Sequence, residues 1–251
     1  MRLLLSDIAV VYGRYARQTL RSKAAMLFGA LMPALYLVFY GPLLTDVPLG
    51  RSGSSWQVLV PGLLLQLALF GSTFAGLGLI VEKQQGVVER MRVTPVSRPA
   101  LLLGRVLKDA TLLVVQAVLL VAVALAMGLR APLAGILIGL AFTGALSLSL
   151  ASLSYALAMT TAVPQAFAPV VNAVTMPLML LSGLLLPMSL APTWLDVLSH
   201  VVPLRYLVDA VRAAFTGDYT APALLYGTVT AIALMAVSVA AGTRYFRRAG
   251  A

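Results

Sequence analysis

A helix needs about 20 apolar residues to cross the hydrocarbon of a bilayer, and this 251-residue chain is built largely from runs of that length. Residues 24–44, 58–81, 110–128, 133–159, 165–186 and 221–243 each read as a membrane-crossing helix. Inside lipid only helices and closed barrels satisfy their own backbone, so runs this long predict an all-α membrane protein. The overall balance agrees. Hydrophobic residues make up 61% of the chain and charged residues 10%, where soluble domains carry about 25% charged residues.

The stretches between the runs are distinctive. In residues 1–23, Leu4, Ile8, Val11 and Tyr15 recur at helical spacing while Arg14, Arg17 and Arg21 line another face. That pattern predicts an amphipathic helix lying on the membrane surface. Asp7, and the lack of a small-residue cleavage site before Lys23, argue against a signal peptide. Trp56 is placed as an interface anchor. Gly71, Ser72, Ala75, Gly76 and Gly78 in the second run, and Gly135 with Gly139 in the fourth, predict close helix approach. Ser147, Ser149, Ser152 and Ser154 are expected to bond their own helix or a neighbour rather than line a channel. Residues 187–220 are divided by Pro187, Pro192 and Pro203. Two helical pieces, 194–200 and 204–215, are expected there as re-entrant or interfacial elements, with Leu204, Leu207, Val208 and Val211 on one face.

Orientation follows from Lys and Arg. With six crossings, fourteen of them fall on the side that holds both termini and the segment between the second and third runs. Only Arg51, Arg130, Arg205 and Arg212 fall on the other side. The positive-inside rule therefore predicts that both termini are cytoplasmic. The net charge of +10 is explained by this topology, and no nucleic-acid partner is expected.

The long polar interval inside the chain is 82–98, EKQQGVVERMRVTPVSR. Read as a short helix, it puts Val87, Val88 and Met91 on one side, with Glu89 and Arg92 spaced to pair. Pro95 is expected to end the helix, and Gly86 to permit a turn or close approach. Paired acids and bases beside a small apolar face suit selective docking to a soluble partner. Stop-transfer charge alone would explain the bases but not the acids.

The chemistry the chain lacks narrows its function. No G-x-x-x-x-G-K-[ST] occurs, so no P-loop is expected. There is no cysteine, and the single histidine, His200, lacks evident partners for a metal or a nucleophile. The predicted crossings carry no Asp, Glu, Lys or Arg in their middles, and Asp109 is expected near the surface beside Lys108. An ion-driven carrier is thereby disfavoured, because coupling needs such groups within the membrane. Gln66, Gln116, Gln165 and Asn172 could contact a substrate or bridge helices.

Residues 82–108, EKQQGVVERMRVTPVSRPALLLGRVLK, resemble the cytoplasmic signature of ABC-2-type permeases, with Thr94-Pro95-Val96-Ser97-Arg98 followed by Gly104-Arg105. The segment PLRYLVDAVRAAFTGDY is similar to the family's Pro–aromatic–acid–Arg segment before the last crossing, here Pro203, Tyr206, Asp209 and Arg212. Val87 departs from the Thr of many relatives. The drug-exporter branch with daunorubicin-resistance permeases is the nearest in flavour, and lipid-linked saccharide exporters share the signature.

The resemblance implies a transport subunit, not an enzyme, in a bacterial cytoplasmic membrane. It would hold no cofactor itself. Two copies of a separate ATPase would bind ATP and Mg²⁺, and a second permease, most simply an identical copy, would complete the path. ATPase docking is implied for Glu82, Gln85, Gly86, Glu89, Arg90, Arg92, Thr94, Pro95, Ser97 and Arg98. The substrate path is expected near the second and fifth runs, with Gln66, Phe74 and Asn172 as candidates. A lipophilic drug is the expected cargo. The alternatives are a lipid-linked saccharide, an ion-coupled carrier and a non-transporting assembly factor.

Overall fold

The computed structural model describes residues 2–21, 31, 34–39, 41, 55–87, 97–161, 163–185 and 188–248. All regular structure among them is helical. The helices are α1 Arg2–Arg21, α2 Ser55–Thr73, α3 Gly76–Gln84, α4 Arg98–Ala126 and α5 Leu133–Thr160. They continue with α6 Pro164–Leu181, α7 Thr193–Ser199, α8 Pro203–Thr216 and α9 Pro222–Arg248. A 3₁₀ turn, Met188–Leu190, precedes α7. Five stretches among the described residues are long and apolar enough to span a membrane: Ser55–Gln84, Pro99–Ala126, Leu133–Thr160, Pro164–Leu181 and Pro222–Tyr245. The expected crossing at 24–44 lies outside the described residues except at 31, 34–39 and 41, which are helical.

α5 is the central post, packed against α2, α3, α4, α8 and α9. Its small residues admit the neighbours. A Cβ on Gly139 would stand 2.7 Å from the Phe215 ring, and one on Gly135 would strike the Ala214 carbonyl of α8. Of the serines, Ser149 Oγ donates to the Ala145 carbonyl at 2.8 Å and Ser152 Oγ to Leu148 at 2.7 Å as expected, whereas Ser147 Oγ is buried with no hydrogen-bond partner among the described residues. Ser154 does more. Its hydroxyl donates to the Thr73 carbonyl at 2.7 Å and accepts from the Gly76 N–H at 2.9 Å. One α5 side chain thus satisfies both backbone groups released where the second run breaks into α2 and α3.

Two apolar clusters divide the bundle lengthwise. One joins α2, α4, α5 and α8 around Leu63, Leu64, Leu207 and Phe215. The other joins α1, α3, α4, α5 and α6 around Val11, Tyr15, Ile80, Leu102 and Phe167. The end of the bundle holding α1, Glu82 and Ser97 is called proximal below, and the end holding α7 and α8 distal.

Several boundaries differ from expectation. The third crossing does not begin at 110, since α4 already starts at Arg98 with Pro99 in its first turn. Residues 98–109 mix charged side chains with buried Leu101, Leu102 and Val106, so they form the opening, charge-bearing turns of the same helix that a search for apolar runs passes over. The polar interval 82–98 is therefore not one separate helix: Glu82 belongs to the last turn of α3 and Arg98 opens α4. The fifth crossing stops at Leu181, where Ser182 and the left-handed Gly183 (φ 72°) turn the chain, rather than at 186. Trp56 is buried in the distal cluster and not displayed at an interface. The two helical pieces expected within 187–220 are present as α7 and α8.

Candidate functional site

The proximal end is built on α1. Its face bearing Val11 and Tyr15 is buried against α4. The approach is close because position 104 is glycine: a Cβ there would stand 2.6 Å from Val11 Cγ1 and 3.1 Å from the Tyr12 nitrogen. The amphipathic reading of α1 holds, and its apolar face is taken up by protein as well as any membrane.

Around this contact lies an ionic cluster. Arg105 Nη2 donates to Glu82 Oε2 at 2.6 Å, with the arginine side chain 4% exposed and the glutamate 23%. Tyr15 Oη donates to the same Glu82 oxygen at 3.1 Å, and the Arg105 guanidinium lies 4.7 Å from the Tyr15 ring centroid. Burial pushes the Tyr15 hydroxyl up to about 12; the Arg105 charge opposes this and the Glu82 charge adds to it. One turn further along α4, Asp109 accepts from Tyr155 Oη of α5 at 2.5 Å and pairs with Lys108. Lys83 Nζ donates to the Met159 carbonyl at 3.4 Å. These bonds tie α1, α3, α4 and α5 together below the apolar bundle.

The other border of the polar interval is tied as well. Asp7 Oδ2 of α1 accepts the Ser97 N–H at 3.1 Å. The carboxylate sits at the start of α4, where the helix dipole favours negative charge. Between the borders, Gln85 is exposed and Gly86 takes φ 69°, which turns the chain away from the α3 axis. Residues 88–96, with Glu89, Arg90, Arg92, Thr94 and Pro95, lie outside the described residues, as does the Arg98 side chain. Thus α1 grips both ends of the interval, Glu82 through Tyr15 and Ser97 through Asp7.

Two expectations change here. Asp109, expected near the membrane surface, is buried within the protein, 8% exposed and engaged by Tyr155. Val87, expected on a docking face, packs instead against the proximal cluster. Glu82 likewise points inward to Arg105. Tyr15 and Tyr155 were not singled out in the sequence as members of a polar cluster; the spacing of Arg105 and Asp109 by one helical turn was the available signal.

At the distal end Pro203 opens α8 and Tyr206 Oη donates to the His200 carbonyl at 2.9 Å. Arg205 pairs with Asp196 at 2.7 Å and more loosely with Asp209 at 3.7 Å. Burial raises the Asp209 carboxyl, with Arg212 and Arg205 opposing it. Arg212 reaches across: Nη2 donates to the Gly183 carbonyl at 2.8 Å and to Leu184 at 3.3 Å, and Nε to Val58 at 3.4 Å. It pins the carbonyls after α6 to the first turn of α2. The residues Gln66, Phe74 and Asn172 do not share one environment. Gln66 is buried, Phe74 is half-buried against the proximal cluster and Asn172 is exposed. Among the described residues no group of His, Cys, Asp and Glu could hold a metal ion.

The described residues form an all-helical bundle with five apolar stretches long enough to span a membrane and a tied polar joint between two of them. The sequence model of the ABC-2 type transporter family matches residues 6–216, and the chain belongs to that family. It is 28% identical over 222 residues to the putative transport permease ycf38 of Pyropia yezoensis, covering 85% of this chain and 75% of that protein. It is 24% identical over 189 residues to the daunorubicin resistance ABC transporter permease protein DrrB1 of Streptomyces coeruleorubidus, covering 74% and 67%. A shorter match, 25% over 130 residues, joins it to the probable doxorubicin resistance ABC transporter permease protein DrrC of Mycobacterium tuberculosis, covering 51% and 47%. The chain is accordingly a transport subunit rather than an enzyme, and its family implies a partner ATPase.

Proposed function

We propose that the chain is the membrane-spanning half of an exporter driven at its proximal end by a separate ATPase. The observation that carries this reading is the double attachment of the 82–98 interval. A joint that transmits force must be stiff at both ends. Here Glu82 is held by Arg105 and Tyr15, and Ser97 by Asp7. A push delivered to Gln85, Glu89, Arg90 and Arg92 would move α3, α4 and α1 as one body.

The proximal end then faces the cytoplasm, as the Lys and Arg asymmetry requires. ATP and Mg²⁺ would reside on the ATPase, two copies serving two permeases, with a pair of identical chains as the simplest arrangement. Lipophilic or amphipathic cargo is favoured by spans that carry little charge, and the drug-resistance names of two relatives favour a drug over a lipid-linked saccharide. The buried Asp109 does not favour an ion-driven carrier, because Tyr155 and Lys108 already engage it.

Co-purification with a separate ABC ATPase subunit tests the proposal. Wild-type chain should retain the ATPase and pass drug-stimulated ATP hydrolysis; Glu89→Ala with Arg90→Ala should lose both. Retention of full binding and stimulation by that double variant would sink the reading.

A further inference from the structure

Between α1 and α4 a cleft of about 230 Å³ opens outward. Its walls are mixed in a particular way. Ala16, Leu112 and Val115 make an apolar floor, and Val115 is 40% exposed. Lys108 stands beside it with Tyr12, Thr19 and Thr111. We propose that this cleft binds an anionic phospholipid with a hydroxylated headgroup, of the phosphatidylglycerol type, from the leaflet that meets the proximal end.

The hydrogen-bonding pattern selects that chemistry. Lys108 gives one bond to Asp109, which leaves two of the three ammonium donors for a phosphate. Thr19 Oγ1 donates to the Tyr15 carbonyl at 3.0 Å, and Thr111 Oγ1 to Leu107 at 2.8 Å. Both hydroxyls therefore turn lone pairs outward and can accept from a glycerol headgroup, which a choline headgroup cannot supply. Tyr12 Oη reaches Thr111 only at 3.4 Å, long enough to yield to a phosphate oxygen. The apolar floor continues along α4 through exposed Val118 and Leu119, a track for an acyl chain.

Charge complementarity extends beyond the cleft. On α1, Arg14 and Arg17 are exposed, while the acid Asp7 is spent on the Ser97 N–H. Basic pockets at the cytoplasmic ends of membrane helices favour anionic headgroups in this way. A lipid seated here would bridge α1 to α4 and stiffen the clamp. The placement in the inner leaflet rests on the topology proposed above; the lipid preference itself does not.

The test uses the full chain in complex with its ATPase, with Trp56→Phe and Trp194→Phe removing the two native tryptophans and Val115→Trp as reporter. Brominated phosphatidylglycerol should quench that reporter at about fivefold lower mole fraction than brominated phosphatidylcholine, the ratio expected of one lysine–headgroup contact. Lys108→Gln should bring the ratio close to one. Ala16→Leu, which narrows the cleft and leaves the Lys108–Asp109 pair intact, should do the same and decides the matter if Lys108→Gln does not fold. Soluble glycerol 3-phosphate should not relieve the quenching. Equal quenching by both lipids in the parent, no quenching by either, an unchanged preference in a folded variant, or relief by glycerol 3-phosphate would each overturn the proposal.

Discussion

Glu82 and Arg105 meet at 2.6 Å between the last turn of α3 and the early part of α4, at a site where the arginine is almost wholly enclosed. Removing Glu82 takes from Arg105 the carboxylate that it bonds in this enclosed site. Glu82→Ala is expected to cost about 3 kcal/mol of stability, somewhat less than a fully buried pair because Glu82 keeps some solvent. Thermal unfolding in detergent checks the single variant. Combining it with Arg105→Met should restore part of the loss, and strictly additive effects would show that the two do not interact.

Asp7→Ala removes the acceptor at the start of α4. The expected cost is about 1 kcal/mol, as for a lost helix cap. Hydrogen exchange should accelerate at 97–101 while α5 stays protected, and stimulation of the ATPase should fall. Unaltered exchange at 97–101 would mean that α1 does not hold this border.

Gly104→Ala should push α1 away, since the added methyl falls against the stiff β-branched Val11 and the Tyr12 backbone. Overpacking of this kind costs about 1–3 kcal/mol. Val11→Ala added to Gly104→Ala should recover part of the melting temperature. No recovery would place the strain elsewhere.

The Tyr15 hydroxyl, pushed up to about 12 chiefly by burial, holds its proton more tightly with α1 docked than with α1 free, where about 10 is usual. Its contribution to docking is thus complete below pH 10 and is lost as pH rises from 10 to 12. A fluorophore on Arg14→Cys in the cysteine-free chain should report release of α1 across that window. Tyr15→Phe should lack the step; an identical profile in that variant would refute the assignment.

At the distal end, Arg212→Lys keeps the charge and loses the fork that reaches Gly183, Leu184 and Val58. Spin labels on the distal ends of α2 and α6 should show a broader distance distribution in the variant. An unchanged distribution would remove Arg212 from its role as a strut.

Apolar runs made α5 and α6 legible almost to their first residues, since nothing but side-chain hydrophobicity was needed to find them. The same rule placed the start of α4 too late, because Arg105, Lys108 and Asp109 interrupt the run while the helix continues beneath them. Those charges are tolerated because partners from distant parts of the chain meet them: Glu82 for Arg105, Tyr155 for Asp109. Pairings across such separations leave no local pattern. The amphipathic α1 was readable from its spacing, whereas its grip on both borders of the polar interval depends on Asp7 and Tyr15 reaching residues 90 and 67 positions away.

In the proposed function a separate motor drives this permease through the exposed joint after Glu82. The most direct measurement is labelling of a single cysteine at Gln85, an exposed position in a chain with no other cysteine. A membrane-impermeant maleimide should react in inverted vesicles and not in intact cells, and bound ATPase should protect the site. Reaction from the outside of intact cells, or no protection by an ATPase that still drives transport, would mean that the joint after Glu82 is not where the motor acts.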